Sequence, residues 1–107
     1  MSLRTIDDAD RILDAARSGR RCLCIGGGLL GLETAGALAW RGADVTILEG
    51  HGYLMPSQLD PQAGALLAKH LGSIGVNVRS GVHTKALRGD QRVTGADLEE
   101  GGTIPAD

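Results

Sequence analysis

The chain has no phenylalanine and only one tryptophan and one tyrosine, Trp40 and Tyr53. Any core must therefore be aliphatic, drawn from Leu, Ile, Val and Ala. An excess of positive charge is also missing: eleven Lys and Arg face thirteen Asp and Glu, for a formal charge of −2. Tracking a nucleic-acid backbone needs a basic face, so no nucleic-acid partner is expected. Only three prolines are present and the glycines follow no Gly-X-Y period, which removes collagen and disordered-linker readings. No stretch approaches the ~18 unbroken apolar residues of a membrane span, and no basic start runs into an apolar segment as a secretory signal would. No repeat at solenoid spacing is visible. Cysteine is limited to Cys22 and Cys24. Two positions apart on one strand, they would sit ~6–7 Å from each other, too far for the ~3.5–4.5 Å Cβ separation of a disulfide. They are expected to be free, buried, small hydrophobes, which fits a reducing cytoplasm.

Glycine is what the chain has in plenty: 17 of 107 residues, against a typical share of ~7%. Most stand singly between apolar segments, where turns and helix ends use them. The length suits one domain, 1–107, in three parts. Residues 1–19 read as a lead-in helix, with Ile6, Ala9, Ile12, Leu13 and Ala16 at helical spacing and Asp7, Asp8 and Asp10 in the first turn. Residues 20–80 read as β-α-β-α-β. The strands are Cys22–Ile25, Val45–Glu49 and Val76–Arg79, and the first helix runs from Leu29 to about Arg41. Gly36 inside that helix costs roughly 1 kcal/mol against Ala, which predicts a close backbone neighbour.

The second helix starts at Asp60-Pro61, an N-cap followed by proline at the first helical position. Its apolar stripe is Ala63, Leu66, Leu67, His70, Leu71 and Ile74. Residues 81–107 alternate in short segments split by Gly89-Asp90 and Gly101-Gly102, which predicts an antiparallel meander. The fold class is α/β: a Rossmann-like three-layer domain with a parallel sheet and a β-meander.

One glycine cluster stands apart. Gly26-Gly27-Gly28-Leu29-Leu30-Gly31 fits G-x-G-x-x-G, follows an apolar strand and opens a helix. An acidic residue, Glu49, ends the next strand about twenty positions on, as a ribose contact requires. Gly26 permits the tight turn, Gly28 lets the backbone approach a pyrophosphate, and Gly31 lets helix and strand pack closely. The anion would rest on unpaired N–H groups at the positive end of the helix dipole. Glu49 would accept from a ribose 2′-hydroxyl and repel a 2′-phosphate. No Arg or Lys lies between Glu49 and Gln58, so NADH is expected over NADPH. The expected cofactor-binding set is Gly26, Gly27, Gly28, Leu29, Leu30, Gly31, Glu33, Glu49, Gly50 and His51.

The run from Cys24 to Ala35 resembles the second nucleotide motif of the pyridine nucleotide-disulfide oxidoreductase superfamily of flavoenzymes. The lead-in Leu3-Arg4-Thr5-Ile6-Asp7-Asp8-Ala9-Asp10 is similar to the segment leaving the FAD domain in its ferredoxin/rubredoxin reductases and nitrite reductase large subunits. Leu54-Met55-Pro56-Ser57-Gln58-Leu59-Asp60 leans towards the NADH-dependent nitrite reductase large subunit, and Gly75-Val76-Asn77-Val78 extends the match. The resemblance implies an NADH-binding domain that delivers hydride to FAD held by another domain of a parent enzyme. It places Glu33 near the nicotinamide carboxamide; a surface Glu matched to the helix dipole is the alternative. FAD and dimerisation domains are absent from this sequence. In the family the chain runs on from Pro105-Ala106-Asp107 into a last parallel strand beside the first. The 107 residues alone are therefore expected to be inactive, with no catalytic residue of their own. Self-association through the open edge of the first strand is a further expectation.

Other features carry less. His51, His70 and His83 have no metal-ligand spacing, so no metal is expected. His51 lies within reach of an adenine or ribose, or is an ordinary loop histidine; His70 is expected to pack with its helix, as is Trp40. Tyr53-Leu54-Met55 would cover the adenosine or contact the FAD domain. Two other functions share the fingerprint: an FAD-binding Rossmann half, and a stand-alone nucleotide-sensing module without catalysis.

Overall fold

The computed structural model describes residues 2–107. The elements run α1 (Ile6–Ala15), β1 (Arg21–Ile25), α2 (Leu29–Trp40), β2 (Asp44–Glu49), α3 (Pro61–Ser73) and β3 (Val76–Ser80). The chain then forms β4 (Thr84–Gly89), β5 (Val93–Leu98) and β6 (Thr103–Pro105). Strands β1, β2 and β3 form a parallel sheet in that order, with β2 central. Strands β4, β5 and β6 form the antiparallel meander. This is the α/β architecture expected from the alternation of apolar segments.

Local signals start the helices. Thr5 caps α1: its side chain accepts from the Asp8 N–H while the Asp8 carboxylate accepts from the Thr5 N–H, a reciprocal capping box. Asp60 caps α3 by accepting from the Ala63 N–H at 2.8 Å, and Pro61 occupies the first helical position.

The core is aliphatic. Leu32, Ala35 and Leu38 of α2 pack with Val45 and Ile47 of β2, Leu71 of α3, Val76 of β3 and Leu54 from the loop after β2. Burying such side chains is worth about 1.5–3 kcal/mol each.

Several expectations need correction. Trp40 does not pack: it is 87% exposed, on the side of α2 opposite Leu32, Ala35 and Leu38. Leu66 and His70 of α3 and its C-cap Ile74 are exposed. The face that packs is Gly64, Leu67, Ala68 and Leu71, because the loop after β2 lies directly on Gly64. A Cβ there would sit 2.9 Å from the Leu54 carbonyl oxygen and from the Tyr53 ring. Gly36 has no close neighbour, so packing does not account for it. Cys22 and Cys24 are free but only half-buried; burial pushes the Cys24 thiol up to about 11.

The meander returns the chain to the parallel sheet. The Ala106 N–H donates to the Thr94 carbonyl, and the Asp107 N–H donates to the Arg21 carbonyl at 2.8 Å. Asp107 also receives the Arg21 backbone N–H and its guanidinium at 2.9–3.0 Å. Along β1, Arg20 and Gly26 bond towards β2, so Arg21, Leu23 and Ile25 direct their backbone groups the other way. Asp107 takes those of Arg21. Those of Leu23 and Ile25 have no strand partner among the described residues.

Candidate functional site

The turn that leaves β1 is shaped by two backbone requirements. Gly26 donates its N–H to the Leu48 carbonyl at 2.8 Å, then turns with φ +109°, a left-handed conformation that side chains rarely adopt. Gly31 comes so close to the turn that a Cβ on it would lie 2.2 Å from the Gly26 carbonyl oxygen. α2 packs closely on β1 at this point, as expected.

Gly28 is different. It is the N-cap of α2, with no side-chain cap, and the first turn of α2 holds no acid. The N–H groups of that turn and the positive end of the helix dipole are therefore left for an outside anion. A Cβ on Gly28 would meet nothing within 4 Å. Its lack of a side chain serves no internal contact and leaves the backbone open from outside, as a pyrophosphate approaching the turn requires.

The inner side of the turn is braced by β2 and the loop after it. Glu49 is 7% exposed at the end of β2, and its Oε2 accepts the Gly27 N–H at 2.6 Å. The Gly27 carbonyl accepts the Met55 N–H at 2.9 Å. A Cβ on Gly27 would strike Leu54 Cδ2 at 2.6 Å and Glu49 Oε2 at 2.7 Å. Gly27, expected among the nucleotide contacts, thus has its N–H engaged by Glu49. From the loop Tyr53-Leu54-Met55, expected to cover an adenosine or contact an FAD domain, Leu54 enters the core and lies against Gly27.

Glu49 Oε1 accepts the His51 backbone N–H at 2.9 Å and is 3.0 Å from His51 Nδ1. Burial alone would raise the Glu49 pKa, but the His51 N–H, the His51 ring and the Gly27 N–H together hold it below the ordinary carboxylate value. The carboxylate is largely buried, held by three donors, and ionises more readily than an ordinary Glu.

The segment after β3 closes the same corner. The Val82 N–H donates to the Glu49 carbonyl at 3.1 Å and the Gly81 N–H to the His51 carbonyl at 2.7 Å. The His83 ring lies against Gly50 and its Nδ1 bonds Glu100 Oε1 at 2.6 Å; that bond raises the His83 pKa.

Glu33, Leu29 and Leu30 lie on the opposite flank. Glu33 is exposed and has no hydrogen bond or ion pair among the described residues. It lines a shallow groove of about 260 Å³ between α2 and the Ile12–Leu13 face of α1. A larger groove of about 740 Å³ runs along the outer edge of β1 past Ile25, Leu29 and Leu30. Its size falls within the ~300–1,000 Å³ of small-molecule sites. The turn therefore joins a polar, filled corner at Glu49 to an apolar, open one at Ile25.

Among the described residues no three His, Cys, Asp or Glu side chains gather as metal ligands, and no helix is long and apolar enough to cross a membrane. The bracing by Leu54 and Met55, the His51 contact and the His83–Glu100 pair were not foreseen from sequence. Only the last residues of β2 hinted at them.

A family model described as pyridine nucleotide-disulphide oxidoreductase matches residues 1–107. The chain belongs to that family. It is 39% identical over 106 residues to an NAD(P)H nitrite reductase of Bacillus subtilis, covering 99% of this chain and 13% of that protein. It is 35% identical over 105 residues to the ferredoxin–NAD(+) reductase component of a p-cumate 2,3-dioxygenase system from Pseudomonas putida, covering 98% and 25%. Among solved structures, a NAD-dependent persulfide reductase from A. fulgidus superposes with TM-score 0.93 at 28% identity over 100% of this chain and 20% of that one. The reductase of a covalent putidaredoxin reductase–putidaredoxin complex gives 0.91 at 29%, covering 98% and 26%. The chain thus spans 13–26% of the length of these relatives.

Proposed function

We propose that the chain is the NADH-binding unit of a larger flavin-dependent oxidoreductase. The carrying observation is Glu49, a buried carboxylate fixed by the Gly27 N–H at 2.6 Å beside a helix N-terminus whose glycine backbone is open to solvent. A dinucleotide laid across the turn would set one ribose at Glu49, its pyrophosphate over Gly28, Leu29 and Leu30, and its nicotinamide on the Ile25–Glu33 flank. The bound NADH supplies the hydride. This chain's residues bind and orient the dinucleotide: Glu49 repels a 2′-phosphate, and the β1 flank offers the other end an apolar surface. The hydride would pass to FAD held by a separate domain of the parent chain, as fits a nitrite reductase large subunit or a ferredoxin/rubredoxin reductase. Alone, the 107 residues would bind NADH without turnover. The free Cys22 and Cys24 fit a reducing, cytoplasmic setting.

Calorimetric titration of the chain with NADH, NADPH and FAD tests this. NADH should bind more tightly than NADPH, and FAD not at all. Binding of FAD with neither nicotinamide dinucleotide overturns the reading.

A further inference from the structure

The Glu49 carboxylate is nearly full before any nucleotide arrives. An ionised carboxylate offers about four lone-pair sites. Oε1 uses two on His51, through the backbone N–H at 2.9 Å and ring Nδ1 at 3.0 Å, and Oε2 uses one on the Gly27 N–H. The one site left is on Oε2, the oxygen that takes the Gly27 N–H, on a residue only 7% exposed. A ribose hydroxyl reaching Glu49 from solvent therefore meets the His51 ring first.

The three donors differ in how easily they leave. The two backbone N–H groups belong to the glycine turn and to a segment pinned by the Gly81 N–H. The imidazole is a side chain 70% exposed to solvent. Because an ionised carboxylate only accepts, Nδ1 is the protonated nitrogen of this contact. A charge-assisted bond at so exposed a position is weak and is readily exchanged for another.

We propose that His51 is a specificity-determining residue whose ring holds the ribose 2′-hydroxyl's place on Glu49 and must swing off for NADH to bind. The inference rests on the NADH reading above. NADPH gives Glu49 no 2′-hydroxyl to accept from, so it gains nothing from the ring's departure. The ring therefore narrows the preference for NADH that Glu49 creates. His51→Ala removes the competitor and leaves both backbone donors on Glu49. His51→Asn puts a side-chain amide donor back within reach of the same oxygen.

The test is titration of wild type, His51→Ala and His51→Asn with NADH and NADPH. In His51→Ala, NADH should bind about three- to ten-fold more tightly, the scale of one exposed charge-assisted bond, while NADPH stays within about two-fold. His51→Asn should return towards wild type. Weaker NADH binding in His51→Ala, or an equal gain for both dinucleotides, overturns the proposal: the ring would then be a ligand or a general cover. Nitrogen NMR of the imidazoles in the wild-type chain gives a readout independent of folding of the variants. NADH should shift the His51 Nδ1 resonance as its Glu49 bond breaks, and NADPH should leave it in place. An unmoved resonance with bound NADH overturns the proposal alone, whereas a wild type that binds neither dinucleotide overturns the function assigned to the site.

Discussion

On one flank of the glycine turn, Glu49 has a partner for each oxygen, Gly27 is bonded at both its N–H and its carbonyl, and Leu54 beneath them is fully buried. On the other flank, Ile25, Leu29 and Leu30 stand 58–59% exposed and Glu33 touches no partner among the described residues. The same six-residue motif serves both. The difference bears on which part of the proposed dinucleotide site this chain would hold by itself. The Glu49 corner, proposed for the ribose, is held by β2, the 53–55 loop and the segment after β3. The β1 corner presents apolar surface with no order of its own to impose on a ligand. A site of this kind would grip the adenosine half of a dinucleotide and leave the nicotinamide half to be framed by another surface.

The largest effect is expected where the two flanks share a support. Gly31→Ala drives a methyl to 2.2 Å from the Gly26 carbonyl oxygen, and backbone cannot yield as a side chain does. Parting α2 from β1 should destabilise the fold by about 3 kcal/mol, at the upper end for overpacking. Urea unfolding measures it, and a loss under about 1 kcal/mol would mean that the close approach relaxes freely. Gly28→Ala should behave in the opposite way. Its Cβ meets nothing within 4 Å, so the urea midpoint should move little, while NADH affinity should fall about ten-fold. A variant that binds normally would remove Gly28 from the pyrophosphate path.

Much of this was legible in the sequence, for local reasons. The glycine turn, the Asp60-Pro61 start of α3 and the strand ending at Glu49 each depend on neighbours within a few residues. What was illegible depends on distant ones. The 3.6-residue period identified α3 correctly, but it weighed Leu66, His70 and Ile74 as core. It is Gly64, by admitting the 53–55 loop, that decides which face turns inwards. Leu54 carries no pattern of its own, yet it supports Gly27 across the fold. Glu49 was identified as an acceptor. That the Gly27 N–H already holds it follows from β1 lying beside β2, which spacing along the chain does not specify.

Glu49 allows a test of the filled flank with smaller consequences. Its folded-state pKa lies below its ordinary value, so the unfolded chain binds its proton first as pH falls. Its contribution to stability is complete above the ordinary carboxylate value and is lost as pH drops through the lower folded value. Glu49→Gln should flatten the stability profile in that acid window and show its full cost at pH 7, where the wild-type carboxylate contributes all of its stabilisation. It should also lower the NADH preference about ten-fold, and Glu49→Arg should tilt it towards NADPH. An unchanged NADH/NADPH ratio in both variants would refute the ribose role.

The smallest effect belongs to the open flank. Leu23 and Ile25 direct two N–H and two carbonyl groups away from β2, with Asp107 covering only Arg21. If two copies pair antiparallel there, about four hydrogen bonds form, each worth ~1 kcal/mol net. That total corresponds to a dissociation constant on the order of 1 mM. An edge two residues long should therefore associate weakly and fail to hold a permanent dimer. Light scattering should show mass rising with concentration towards that range. Ile25→Lys, which places a charge at the 58%-exposed edge residue, should keep the chain monomeric throughout. A wild type that stays monomeric to the same concentration would mean that the apolar β1 flank is shielded in solution, and the contrast between the two flanks would shrink to their polarity alone.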